Sequence, residues 1–217
     1  MPYNEPTLLE RAIFLIPMLL SLTVHEWAHA RSAYALGDDT ASLMGRMSLN
    51  PLVHIDIVGT IILPLIGVPF GWAKPVPVNP MRFDRRHSMR WGMMITAAAG
   101  PLANVALAFA SAALFSLLAH LVPAALSPRS GVALLLTMLV SVNIALAIFN
   151  LIPVPPLDGS RLADYFMPQS LRPYWDSLYR SGPIGLVLLF VGLQFFGGAL
   201  SVVIGGALRL VYAMVGL

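Results

Sequence analysis

Two histidines and a glutamate stand within five positions of an otherwise apolar stretch, in Val24-His25-Glu26-Trp27-Ala28-His29-Ala30. On a helix, positions i and i+4 lie one above the other, so His25 and His29 can chelate one metal ion. Glu26 lies beside that face and can take a proton from a water that the metal activates. Residues 12–24 carry no charge. Ionisable groups in such a segment are costly and by default mark function. The bland alternative is three unrelated polar residues facing a cavity.

A third candidate ligand stands far along the chain, in Asn150-Leu151-Ile152-Pro153-Val154-Pro155-Pro156-Leu157-Asp158-Gly159. Three prolines in four positions end the helix before them. Irregular backbone at membrane depth is tolerated only where protein buries it or a wet cavity lines it, so the break marks a polar site. Asp158 is then the third ligand, and Gly159 lets the turn close tightly. Read alone, Asp158 fits equally well as the cap of the next helix. Beside His-Glu-x-x-His the ligand reading is favoured.

Composition sets the surroundings. Of 217 residues, 58% are hydrophobic and 11% charged, with mean hydropathy +0.78. A soluble domain carries about 25% charged residues, so this is an integral membrane protein, read as one domain over 1–217. A net charge of +3 comes from few basic residues, five of which gather at Lys74, Arg82, Arg85, Arg86 and Arg90, and does not suggest nucleic acid. There is no cysteine, which excludes disulfides and thiolate ligands. Any zinc must use His, Asp or Glu besides water. Residues 1–10 show no basic run and no small-residue cleavage site, so the first apolar segment is expected to be retained.

Three spans must carry these groups. Residues 8–36 form the first, capped by Asn4 or Thr7, ended by Gly37-Asp38-Asp39 and kinked at Pro17. His25 lies about 25 Å along it at 1.5 Å per residue. Residues 37–56 form a polar connection. In it His54 is either a partner or oxyanion donor of the site, or a polar residue at the interface. Residues 57–70, with Pro64 and Pro69, are too short to span and read as re-entrant or a tilted partial helix. The run Gly71-Trp72-Ala73-Lys74-Pro75-Val76-Pro77-Val78-Asn79-Pro80 is extended because its alternating prolines forbid helix. Its edge near Val76 can accept an unwound peptide by strand addition, or the run is a plain Pro-rich loop. The Arg-rich loop 81–90 belongs in the cytoplasm by the positive-inside rule.

Residues 88–121 give the second span, where Gly100 allows close packing and Asn104 can hydrogen-bond across helices. A short loop leads to the third, 131–152. Residues 160–182 read as a surface segment with Tyr165, Phe166, Tyr174, Trp175 and Tyr179 at the interface. Residues 183–216 form one long helix or a hairpin broken near Gly197-Gly198. Gly197, Ser201 and Gly205 make a close-packing face there, expected to serve internal packing.

Taken together, His25-Glu26-x-x-His29, Gly100-x-x-x-Asn104 and Asn150-x-x-Pro153-x-Pro155-x-Leu157-Asp158-Gly159 resemble the site-2 protease family of intramembrane zinc metalloproteases. The match spans about residues 10–165, and residues 71–79 resemble that family's membrane re-entrant β-loop. The resemblance implies an all-α polytopic membrane protein with three core transmembrane helices (core about 8–165), accessory spans (about 183–216) and a short β-loop. It implies one zinc ion on His25, His29 and Asp158, Glu26 as catalytic base, and Asn150 bonding substrate backbone. His54, Asn104 and Val76 are further substrate or oxyanion candidates. The chain resembles the small prokaryotic members, without a PDZ domain. The function implied is hydrolysis of membrane-spanning protein substrates, as in regulated intramembrane proteolysis, in a prokaryotic inner membrane with the site toward the cytoplasm. The partners implied are a transmembrane substrate and the lipid bilayer, with no nucleic acid and no indication of an oligomer. The competing class is a membrane metal transporter or an inactive metal-binding homologue. A transporter needs a polar path across the membrane, and outside the motif helix and the Asp158 break the spans offer little beyond Arg209 and His120.

Overall fold

The computed structural model describes residues 7–68, 71–127, 130–181 and 184–216. Asn4 and Pro69, named above as a cap and a helix breaker, lie outside them. The described chain is helical, with no strand assigned.

Helix α1 runs Leu8–Ala35. The Thr7 side chain accepts from the Glu10 backbone N–H at 3.3 Å and the Glu10 carboxylate accepts the Thr7 N–H at 2.7 Å, a reciprocal cap. Gly37, at φ +100°, ends it in a conformation that other residues rarely adopt. The short α2 is Thr40–Leu43. A π-helical turn over Ile57–Ile62 and α3, Leu63–Leu65, form the partial helix expected before the Pro-rich run. Helix α4 is Met89–Leu121, α5 Gly131–Asn150, α6 Asp158–Phe166 and α7 Arg172–Arg180. Helix α8 is Ile184–Met214.

Among the described residues, four segments are long and apolar enough to cross a membrane: α1, α4, α5 and Gly197–Met214 of α8. Helix α4 is central and packs against α1, α5 and α6. Ala108 and Ala112 of α4, fully buried, let Val140 and Ile144 of α5 and Val211 of α8 close on them. Met18 and Leu22 of α1 pack on Ala73, which seats the extended run against the motif helix.

Two expectations change. Residues 71–79 are extended but form no ladder. Pro75 and Pro77 have no N–H to give, and the backbone donors at Trp72 and Lys74 go singly to the Gly59 carbonyl (3.3 Å) and the His54 carbonyl (2.9 Å). Of the two alternatives for the last apolar segment, the structure takes the one long helix, and α8 passes Gly197-Gly198 unbroken. Its small-residue face packs against none of the described residues. A Cβ added at Gly197 or Gly205 would meet nothing within 4 Å.

Candidate active site

His25 and His29 sit one turn apart on α1, both buried. Their Nδ1 atoms face protein acceptors. His25 Nδ1 lies 2.6 Å from Asn104 Oδ1 and His29 Nδ1 lies 2.7 Å from the Thr96 carbonyl oxygen. A carbonyl only accepts, so His29 carries its proton on Nδ1. The same holds for His25, because a run of hydrogen bonds fixes the Asn104 amide. Asn143 Nδ2 donates to the Leu139 carbonyl and to Ser21 Oγ, each at 2.8 Å. Its Oδ1 therefore faces Asn104 and accepts from Nδ2 at 2.7 Å. Asn104 Nδ2 also donates to the Ser21 carbonyl at 3.2 Å, which leaves Oδ1 for His25. Three spans thus share one buried network that sets a tautomer.

With both protons on Nδ1, the two Nε2 atoms present lone pairs to each other at 3.0 Å. Asp158 Oδ2 completes the group, 3.2 Å from His25 Nε2 and 3.3 Å from His29 Nε2. That oxygen is buried and has no hydrogen-bond donor. Three electron-rich atoms thus converge on one point, an arrangement that a shared cation satisfies. The donor set of two imidazoles and a carboxylate is the one a catalytic zinc site uses. The residues therefore fit zinc. They also form the group of potential metal ligands among the described residues.

The break after α5 delivers Asp158. It is the first residue of α6, whose N-cap, Leu157, has no side chain able to cap. A Cβ at Gly159 would come within 2.2 Å of the Leu151 carbonyl oxygen, so the turn closes only on glycine. Gly100 serves similarly on α4. A Cβ there would lie 2.5 Å from the His29 ring and 2.6 Å from His25 Cε1.

Glu26 is buried, and its Oε2 accepts the Val76 N–H at 2.8 Å. Its other oxygen has no such tether. Two other candidates bond away from the three ligands. His54 is buried, with Nε2 donating to the Ser48 carbonyl at 2.8 Å. Asn150 Nδ2 donates to the Leu146 carbonyl of its own helix at 3.0 Å. Asn104 lies directly behind His25, and Val76 directly against Glu26. Thr96, Ser21 and Asn143 were not expected at the site. Ser21 and Asn143 were visible as polar residues in apolar spans, whereas Thr96 acts through its backbone.

A polytopic membrane protein with a His, His, carboxylate site and a further buried glutamate next to the first histidine is a membrane metalloprotease in class. The family model described as "Peptidase family M50" matches residues 118–191, the part holding the Asp158 break. The relative named "Putative zinc metalloprotease YwhC" of Bacillus subtilis is 37% identical over 178 residues, 82% of this chain and 79% of that protein. "Putative zinc metalloprotease Rip2" of Mycobacterium tuberculosis is 31% identical over 71% of this chain and 57% of its own length. Its namesake in Mycolicibacterium smegmatis is 30% identical over the same shares. No solved structure gives a significant match. The chain belongs to peptidase family M50, the site-2 proteases, and its cofactor is zinc.

Proposed function

We propose that this chain is an endopeptidase that hydrolyses peptide bonds of membrane-spanning proteins inside the bilayer, the chemistry of regulated intramembrane proteolysis. The observation that carries the reading is the convergence of the His25 and His29 Nε2 atoms and Asp158 Oδ2, with Glu26 next to His25 on the same helix. His25, His29 and Asp158 would hold one zinc ion, which in such sites polarises a carbonyl and brings the pKa of water to about 7.

The chain's own residues do the rest. Asn104 and the Thr96 carbonyl keep both imidazoles in the ligating tautomer. Glu26 accepts the proton of the attacking water on Oε1, since Oε2 is held by Val76. The water oxygen bonds to the scissile carbon, and Glu26 returns the proton to the amine nitrogen as the C–N bond breaks. Substrate must arrive unwound, because helical carbonyls are already bonded. The extended run near Val76 is the proposed neighbour of that piece; its N–H groups at Trp72, Lys74 and Val76 are engaged within the chain, and Asn150, at the end of α5, is the proposed partner for the substrate backbone.

The proposed location is a prokaryotic inner membrane with the site toward the cytoplasm. In support, the motif end of α1 is tied to the Arg-rich loop. The Asp84 N–H donates to the Leu36 carbonyl at 2.6 Å, and Arg82 pairs with Asp39 at 2.8 Å. The whole 1–217 chain is taken as one functional unit.

The test is cleavage of single-span model substrates by purified protein in detergent, with zinc flux measured in liposomes in parallel. Cleavage that stops with a chelator and returns with zinc, without flux, is the expected result. Flux without cleavage would replace the protease by a transporter.

The tautomer network gives a second expectation. Asn143→Leu frees the Asn104 amide to turn its Nδ2 toward His25, which favours the wrong tautomer. Zinc affinity should fall by about 10- to 100-fold, the usual cost of losing a partner behind a ligand. Competition with a chelator of known affinity measures it. An unchanged affinity in folded protein would mean that the network only packs the helices.

A further inference from the structure

We infer that Arg46 is a positioning residue for Glu26, acting through the backbone of residues 74–76; this rests on the protease reading above. Arg46 is 8% exposed, an unusual place for a guanidinium. It takes no carboxylate partner among the recorded ion pairs of the described residues. Instead its Nη2 donates to the carbonyl oxygens of Lys74 at 2.5 Å and Pro75 at 3.3 Å. Its own backbone N–H is fixed to the Ala41 carbonyl at 2.7 Å, at the end of α2. The guanidinium is thus a pin with a rigid base and its head on the extended run.

The pinned residues adjoin the base. In an extended chain, backbone groups of alternate residues point to one edge. Lys74 and Val76 share an edge, and their N–H groups go to the His54 carbonyl at 2.9 Å and to Glu26 Oε2 at 2.8 Å. Pro75 and Pro77 have no N–H, so a slip by one residue would leave both acceptors without a donor. Beyond them the Asn79 N–H reaches the buried Asp38 carboxylate at 2.6 Å. Arg46 holds the carbonyls immediately before Val76, and so sets where the Val76 N–H meets Glu26. That hydrogen bond fixes one carboxylate oxygen and leaves the other to carry the proton. Without the pin the base loses its orientation, while His25 and His29, held from α4 by Asn104 and the Thr96 carbonyl, keep theirs.

Arg46→Met, Arg46→Lys and Val76→Pro test this in the full chain. Val76→Pro removes the N–H from a residue already between two prolines, in a run that is extended as proline requires. With a single-span substrate, Arg46→Met should lower kcat by about 10- to 100-fold, the scale of a misplacement near 1 Å. KM should stay within about twofold and zinc content unchanged. Arg46→Lys should recover part of the loss. Val76→Pro should cost about as much as Arg46→Met, and the double variant no more than either. A second readout needs no turnover. Hydrogen exchange at the Val76 amide should be slow in the wild type and at least about tenfold faster in Arg46→Met. The inference falls if Val76 exchange ignores Arg46→Met, whether or not any substrate is cleaved. It also falls if KM alone rises or if the two losses multiply. Failure of the protease reading would look different: the wild type itself would not cleave. Should Arg46→Met not fold, the Lys variant and Val76→Pro carry the same comparisons.

Discussion

Glu26→Gln should keep zinc at about one ion per chain and lower kcat by about 10²- to 10⁴-fold, the range that a positioned general base supplies. The substitution is informative because of how Glu26 is held. A glutamine can turn its carbonyl oxygen to the Val76 N–H and keep that bond of 2.8 Å. What it places toward the water is then an NH₂ group, which cannot take a proton. Shape, tether and zinc ligands survive, and only the acceptor is lost. Single-turnover cleavage of a single-span substrate, with metal content measured on the same sample, reads the effect. A variant that cleaves at the wild-type rate would mean that another group is the base.

Asp158→Asn should nearly abolish zinc binding, lowering affinity by more than the roughly 100-fold that marks a change behind a ligand. The reason is specific to this geometry. Asp158 Oδ2 stands 3.2 and 3.3 Å from the two Nε2 atoms. An amide nitrogen at that place can donate to both lone pairs and satisfy the imidazoles without a metal. The variant should therefore fold and gain nothing from zinc. Wild type should gain about 2.7 kcal/mol when zinc is present at a hundred times its Kd. Thermal unfolding with and without zinc separates the two. A zinc-dependent shift of wild-type size in the variant would remove Asp158 from the ligand set.

Much of this was legible because the lipid environment makes polar residues conspicuous. The spans expected at 8–36, 88–121 and 131–152 are the helices Leu8–Ala35, Met89–Leu121 and Gly131–Asn150. The break at Pro153 was read as the marker of a polar site, and Asp158 lies against both histidines. What stayed hidden depends on distance in sequence. The Thr96 carbonyl is a backbone group that no side-chain pattern signals. Arg46 looks like any loop arginine until the path of Lys74 and Pro75 brings two carbonyls to it. The β-loop was expected from likeness and alternation, but alternation with proline also removes the donors that a ladder needs. The glycine face of α8 followed a packing rule that states how helices meet, without saying whether a neighbour is there.

The buried network of Ser21, Asn104 and Asn143 also bears on how the protein is made. Ribosomes deliver α1 first, with its two imidazoles and carboxylate and none of their partners. Until α4 arrives neither histidine has its Nδ1 acceptor, and until α5 arrives the amide behind His25 is held by the Ser21 carbonyl alone. Asp158 follows only after the third span has been threaded. Assembly of the centre is therefore a late event in biogenesis. A truncated or half-inserted chain holds the motif histidines but not the finished site.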